Sequence, residues 1–436
     1  MSGMTMDRYG NAFAPGLPYA RGSIIRSTED DFVKLERARS VIARRIADRG
    51  PESIFNFSGL ERGLPLSPQE LPLADDEIAP ALAGEHVHAL ALQHLGGDPA
   101  RHDVMLFNRL TAATFGTHLA LVTPGDTVVG LSPTYTHPTV IRSARQCGAR
   151  FVEAGDLAGL ETALAGEPRV TLVVLTRLAV TYDLLPLPTA REAVRLAHAR
   201  GARVYVDDAG GARVGPAVFG QPRTLELGAD LGATGLDKYG TVGPRLGLLA
   251  GDAALVAAIR ARAFEFGLEA RPMLYPAVVR SLAGYRPERV RELVQTTRTV
   301  AEALRGVFGA RLHVTPVTAQ LRADDLLALA MERARMTTPP IVPIEATAAL
   351  AMLLLEDYGV LTVHFAGMPP GTSSLLLKFI PPETLERFGG ADALAKAVDA
   401  SVDRLAALLH DRAAFTALLL GAGAQSGDRG ASVPRD

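Results

Sequence analysis

The chain has 436 residues, 48% hydrophobic and 21% charged, a balance that describes a globular protein with a large core and excludes a disordered or fibrous one. A formal net charge of −2 and an isoelectric point near 6.6 leave no electrostatic footprint for nucleic acid or for an anionic membrane surface. The one cysteine, Cys147, excludes an internal disulfide, no Cys/His cluster has zinc-ligand spacing, and no metal is expected. The first residues carry Arg8 and Arg21 without a continuous apolar stretch between them, so no signal peptide is read there. No charge-free apolar run reaches the ~18 residues of a membrane span, and a cytoplasmic protein is expected.

In chain order, residues 1–50 read as an arm rich in Gly, Pro and Ala followed by a helix from Glu29, stopped by Gly50 and Pro51. Ile54–Leu60 reads as a short strand leading into a loop. From about residue 108, helical stretches alternate with short apolar runs: Asp126–Gly130, Val170–Leu175, Arg203–Asp207 and Leu246–Ala250. Runs of that length between turn signals suit strands buried on both faces of a parallel sheet. Thr189–Gly201 reads as a crossover helix, with Thr as its start signal and Gly as its stop. The reading is an α/β domain over 51–275. The pattern then changes to a long helix from Arg286 to about Phe308, strand-like runs at Leu312–Thr315, Gly359–Val363 and Leu375–Ile380, and helices near 346–357 and 390–410. Residues 276–415 are therefore expected to form a smaller α+β domain, with the N-terminal segment as a possible contributor. Residues 416–436 are expected to be a disordered tail. The run Ala366–Ser374, rich in small residues, fits a loop near a ligand or a plain turn equally well.

Lysine is scarce. Only Lys34, Lys238, Lys378 and Lys396 interrupt a chain that otherwise uses arginine, and Lys238 sits in the glycine-rich run Gly235-Leu236-Asp237-Lys238-Tyr239-Gly240-Thr241-Val242-Gly243-Pro244. A guanidinium stays protonated, whereas an amine can lose its proton and condense with an aldehyde. That is the part lysine plays with pyridoxal phosphate. A chance loop lysine is the competing reading, and the rest of the chain decides between them. The strand Arg203–Val206 ends in Asp207, where a carboxylate can pair with a pyridinium nitrogen; a helix cap is its plain alternative. The segment Phe107–Thr114 opens a helix whose Leu110 and Thr111 N–H groups and Thr111 hydroxyl suit a phosphate, with Arg109 adding charge. Tyr135 and His137, just past a strand end, offer rings for stacking on a flat cofactor.

Together, the phosphate loop, the Pro124-Gly125-Asp126 turn, the stacking histidine, the strand ending in Asp207-Asp208-Ala209 and the lysine turn resemble the fold-type I pyridoxal-phosphate enzymes, the aspartate-aminotransferase superfamily, over about residues 50–410. Locally, His137–Ile141 with Cys147-Gly148-Ala149 resembles the stacking-histidine segment of α-oxoamine synthases and glycine C-acetyltransferases. Gly235–Lys238 with Gly243-Pro244-Arg245 resembles the selenocysteine-synthase-like branch, and Leu375–Pro381 resembles a strand of β-eliminating lyases of the tyrosine phenol-lyase and tryptophanase type. The resemblance implies a large α/β domain with a mostly parallel seven-stranded sheet sandwiched by helices, plus a smaller α+β C-terminal domain. It also implies pyridoxal 5′-phosphate as cofactor and a homodimer with the active site near the interface.

By the same resemblance Lys238 forms the Schiff base and then serves as general base, and Asp207 keeps the ring nitrogen protonated. His137 stacks, with Tyr135 second, while Leu110, Thr111, Arg109 and Thr234 hold the phosphate. Thr176, or Arg177 beside it, contacts the 3-oxygen or the substrate. The expected substrate is a small amine or amino acid, activated at Cα for elimination or side-chain replacement. Aminotransfer, racemisation and a non-catalytic binding protein of the same fold stay open. Two positions depart from the family pattern. Lys378 stands where many members place a carboxylate-binding arginine, so Arg62, Arg213 and Arg245 are further candidates for that contact. Gly235 stands three residues before the lysine, where a hydroxyl is common, with Thr234 one place earlier.

Overall fold

The computed structural model describes residues 5–365 and 369–421. The described residues divide into two compact units, 59–296 and a second made of 5–58 with those from 297 onward. In chain order the strands are β1 (Phe55–Asn56), β2 (His102–Phe107), β3 (Thr127–Leu131), β4 (Arg150–Ala154), β5 (Val170–Thr176) and β6 (Arg203–Asp207). They continue with β7 (Leu231–Gly235), β8 (Gly247–Asp252), β9 (Leu312–Thr315), β10 (Thr318–Leu321), β11 (Val360–Leu361) and β12 (Leu375–Lys378).

The first unit is built on a seven-stranded sheet in the order β2-β8-β7-β6-β5-β3-β4. Strand β8 is antiparallel to both neighbours, and every other pairing in this sheet is parallel. Successive side chains enter opposite faces, which is why these strands read as continuous apolar runs. Val128, Leu172, Val174 and Tyr205 pack with Ala113, Val140 and Ile259 of the Leu110–Leu121, Pro138–Gln146 and Ala253–Glu265 helices. Val129, Val173, Val204 and Val206 pack on the other face with Leu160 and Ala193 of the Leu157–Gly166 and Leu187–Ala199 helices. This is the α/β sandwich that the sequence pattern leads one to expect. Three of its strands, β2, β4 and β7, are absent from the sequence reading. The reason is clearest for β7, Leu-Gly-Ala-Thr-Gly, which has little β propensity. Its glycines are imposed by packing, since a Cβ at Gly232 would collide with the Thr224 methyl.

The second unit holds a three-stranded antiparallel sheet, β12-β10-β9, and the short parallel pair β1-β11. Its core centres on the Pro343–Tyr358 helix, buried almost all round, with Val41 and Ala38 of the Thr28–Arg49 helix and Val398, Val402 and Leu405 of the Ala391–Leu408 helix. The structure corrects two sequence boundaries. The division falls inside the continuous Pro287–Phe308 helix rather than at residue 275, and the N-terminal segment groups with the C-terminal region, a contribution the sequence reading left open. The presumed tail begins too early: Arg412–Leu420 is a helix, and Phe415, Leu418 and Leu419 enter the core, so residues 416–420 are ordered by burial. Residues 422–436 lie outside the described residues, as do Ala366, Gly367 and Met368 of the Ala366–Ser374 run. No helix among the described residues is long and apolar enough to cross a membrane.

Candidate active site

In an open α/β sheet the carboxyl ends of the strands form the crevice where ligands bind. Register brings the predicted residues to that edge of the first unit. Thr176, the last residue of β5, pairs with Asp207, the last of β6, and Asp207 pairs with Ala233 of β7. Gly247 at the start of β8 pairs with Gly235 of β7 on one side and with Phe107 of β2 on the other. The start of the Leu110–Leu121 helix and the lysine loop therefore flank one residue. Gly247 must be glycine, because a Cβ there would sit 2.7 Å from the Arg109 carbonyl oxygen.

Lys238 lies three residues beyond β7, its side chain 22% exposed, with Nζ 3.8 Å from Asp237 Oδ1. Gly235 lets that side chain fold back over the strand end, since a Cβ at Gly235 would stand 2.7 Å from Nζ. A strand-like segment fastens the loop: Leu60 bridges Lys238, Glu61 N–H donates to the Asp237 carbonyl at 3.1 Å, and Gly243 N–H donates to the Glu61 carbonyl at 3.2 Å. Arg62 thereby donates from Nε to Asp237 Oδ2 at 2.9 Å. Burial works against the Asp237 charge, but Lys238 and Arg62 outweigh it and hold the carboxyl below its ordinary range. Burial pushes the Lys238 amine down; Asp237 opposes this, and Arg213 and Arg245 reinforce it.

Asp207 is 5% exposed, and its Oδ1 has no hydrogen-bond partner. Burial pushes its carboxyl up to about 6, with Lys238 pulling it back. Beside it, the Thr176 hydroxyl is also buried without a partner. Arg177 is engaged elsewhere. It forms a bidentate pair with Asp208, Nε to Oδ1 at 3.0 Å, and also donates to the Pro222 carbonyl at 2.7 Å. Thr224 donates to Asp208 Oδ2 at 2.7 Å. Arg177 therefore belongs to a structural ion pair, and of the two expected donors Thr176 is the open one.

His137 caps the Pro138–Gln146 helix, its Nδ1 accepting from Thr139 N–H at 3.1 Å. Burial, helped by the Arg142 and Lys238 charges, lowers its pKa to about 4, so the ring is neutral at physiological pH. Tyr135 is half-buried two residues before it. Arg109 occupies the N-cap of the Leu110–Leu121 helix in extended conformation, and the first-turn N–H groups of Leu110 and Thr111 have no acceptor within the helix.

Three predicted residues behave differently from the expectation. The Thr234 hydroxyl donates to the Ala209 carbonyl at 3.0 Å and accepts from Arg213 Nη1 at 3.0 Å, so it is already engaged within the protein. Arg213 is fully buried, whereas Arg62 and Arg245 are exposed. Burial, then the Arg109 and Arg62 charges, bring Arg245 down to about 10, which marks these three arginines as close neighbours. Lys378 belongs to the second unit, on β12, and is 1% exposed.

The sequence reading missed one feature altogether. Tyr239, next to Lys238, and Tyr182, in the loop after β5, both adopt positive φ (49° and 69°) and share a short hydroxyl–hydroxyl hydrogen bond. Bulky residues rarely hold that conformation except where surrounding structure enforces it. Gly210 makes room, since a Cβ there would overlap the Tyr239 ring. Two tyrosines 57 positions apart carry no pattern that announces their meeting.

The fold is shared with solved structures. The chain shares 16% identity with the SepCysS–SepCysE N-terminal domain complex, at a TM-score of 0.54, covering 81% of this chain and 95% of that one. It shares 17% identity with the serine palmitoyltransferase of Sphingomonas wittichii, at a TM-score of 0.52, covering 86% of this chain and 84% of that one. These likenesses show the fold of fold-type I pyridoxal-phosphate enzymes. No family model matches the sequence. A curated protein of Methanothermobacter thermautotrophicus, named UPF0425 pyridoxal phosphate-dependent protein, is 31% identical over 350 residues, 79% of this chain and 87% of that protein. With that identity over that length, and a site of this composition at the carboxyl edge of the sheet, the chain belongs to the family of UPF0425 pyridoxal phosphate-dependent proteins.

Proposed function

We propose that the first unit holds pyridoxal 5′-phosphate and acts on a small-molecule amino substrate at its α-carbon. One observation carries this reading: Asp207 Oδ1 and Thr176 Oγ1 are buried without partners at one level of adjacent strands, and Asp207 is within electrostatic reach of Lys238. An orphaned acceptor and an orphaned hydroxyl so placed fit the ring nitrogen and the 3-oxygen of the cofactor. The names of the curated relatives support the same cofactor.

When bound, pyridoxal phosphate supplies an aldehyde that condenses with amines and a cationic ring that draws electrons from the substrate's α-carbon. The protein's residues do the rest. Asp207 holds a proton at the ring nitrogen, an ion pair that also relieves the cost of its own burial. His137, neutral, covers a ring face without competing for that charge, and Tyr135 is the second ring nearby. Leu110 and Thr111 donate to the phosphate from the start of their helix, with Arg109 adding charge. Lys238, its amine lowered by burial, takes the proton from the α-carbon. Arg62 and Arg245 hold the substrate carboxylate. The local resemblances around Lys238 and Leu375–Pro381 favour loss or replacement of a side-chain substituent after that step.

The purified protein should absorb visible light, and borohydride should fix the cofactor to Lys238. A colourless chain that pyridoxal phosphate cannot restore would overturn the enzyme reading in favour of a binding protein. Incubation with amino acids should release keto acid without a second keto acid. A requirement for one would make the protein an aminotransferase. A homodimer is supported by the exposed apolar side chains Leu64, Leu71, Leu73, Ile78 and Leu82 within one short stretch of the first unit.

A further inference from the structure

Arg213 lies in the first turn of the Gly211–Phe219 helix and is 0% exposed. Its Nη1 donates to Thr234 Oγ1 at 3.0 Å, while Nε and Nη2 have no partner. Among the described residues no carboxylate forms an ion pair with it. The two acids in its field are engaged elsewhere: Asp208 with Arg177 and Thr224, and Asp237 with Arg62. Its other titratable neighbours are Tyr285, Tyr239 and His94. Both phenols are pushed up and stay neutral, and His94, whose buried Nε2 is unpartnered, is held neutral by burial and by Arg213 itself. The helix terminus adds further positive potential. A buried charge without a counter-ion is costly, so its field is the property to account for.

Lys238 shares the end of β7 with Arg213: its Nζ folds back over Gly235, the residue after the Thr234 that Arg213 holds. Its amine sits in the fields of Asp237 and Asp207, which favour its protonated form, and of Arg213 and Arg245, which oppose it; His137 is neutral. We propose that Arg213 is a positioning residue whose fixed, unneutralised charge beside the end of β7 favours the reactive free-amine form of Lys238, without itself touching substrate. The inference rests on Lys238 being the reactive amine. A lysine beside a second desolvated cation is known chemistry for an activated amine. Thr234 is the tether: its hydroxyl, held by the Ala209 carbonyl, fixes the guanidinium against the end of β7.

The test uses the full chain, stripped of bound aldehyde with hydroxylamine. Limiting formaldehyde and cyanoborohydride label its amines across a pH series, and mass spectrometry reads the peptides carrying Lys238 and the exposed Lys396. Lys238 should label with a lower pH midpoint than Lys396. Arg213→Met should raise that midpoint by about one unit, slowing labelling below the midpoint about tenfold. Arg213→Lys, which keeps the charge, should restore it. An unchanged midpoint in a folded Arg213→Met protein overturns the proposal, as does a wild-type Lys238 that titrates with Lys396. If Arg213→Met does not fold, Thr234→Val, which frees the guanidinium, should raise the midpoint in part, and no rise overturns the proposal. The labelling needs no cofactor, so failure of the pyridoxal-phosphate reading would leave its outcome intact and separately readable.

Discussion

Asp207, the proposed partner of the ring nitrogen, shows how such a role can weaken the protein that carries it. Burial raises its carboxyl to about 6. Above that pH the folded chain holds a desolvated charge that the unfolded chain does not; below the ordinary aspartate range both states are protonated and the penalty is gone. Asp207→Asn should therefore stabilise the cofactor-free protein at neutral pH by up to about 2–3 kcal/mol. The gain should shrink through the window from about 6 down to about 4 and vanish below it, as read by thermal melts across pH. The same variant should lose the visible band and at least about 100-fold of turnover. A melt that falls at neutral pH would rule out Asp207 as the partner of the ring nitrogen. Lys238 and Asp207 could be nominated from the sequence because their types and order are chemically demanding. Arg177 and Thr176, adjacent in the chain, could not be told apart until the strand alternation gave the arginine to Asp208 and left the threonine hydroxyl open.

At the scale of elements, the site depends on pairs that hold strand ends and loops in place. Arg177 and Asp208 are both fully buried, and each completes the other. Arg177→Met would leave Asp208 uncompensated and should cost about 3–5 kcal/mol in urea unfolding. Replacing both by apolar residues of similar volume should recover most of that loss. Gly210→Ala forces the Tyr239 ring aside and should cost about 1–3 kcal/mol, with slower borohydride-trapped incorporation at the neighbouring Lys238. If the variant melts and incorporates as the wild type does, the Tyr182–Tyr239 contact does not position that loop. Strands rich in valine and leucine, such as β5 and β6, were readable from their runs. Strand β7 was not, because its glycines answer to the packing of Thr224 and of the lysine side chain, which no periodic pattern announces.

For the whole molecule, the sequence pointed to an α/β sheet and a later α+β region, and both exist. The stretch Leu64–Leu82 leaves five large apolar side chains exposed, more than a solvated surface segment needs. Light scattering should accordingly give twice the 46.1-kDa chain mass, and Leu71→Glu with Leu82→Glu should shift the protein to monomer at micromolar concentration. A wild-type monomer would discard the interface. Composition and periodicity were enough to point to the fold class, and the motifs around a scarce lysine, through the family they resemble, to the cofactor, because these depend on residue type and local order; Lys238 and Asp207 are the residues they nominate. Which hydroxyl is open, which arginine is buried and uncompensated, where the chain divides and which tyrosines meet were decided only by the tertiary structure. Those properties are set by neighbours tens to hundreds of positions away, and burial, more than residue type, sets the charge state of each group.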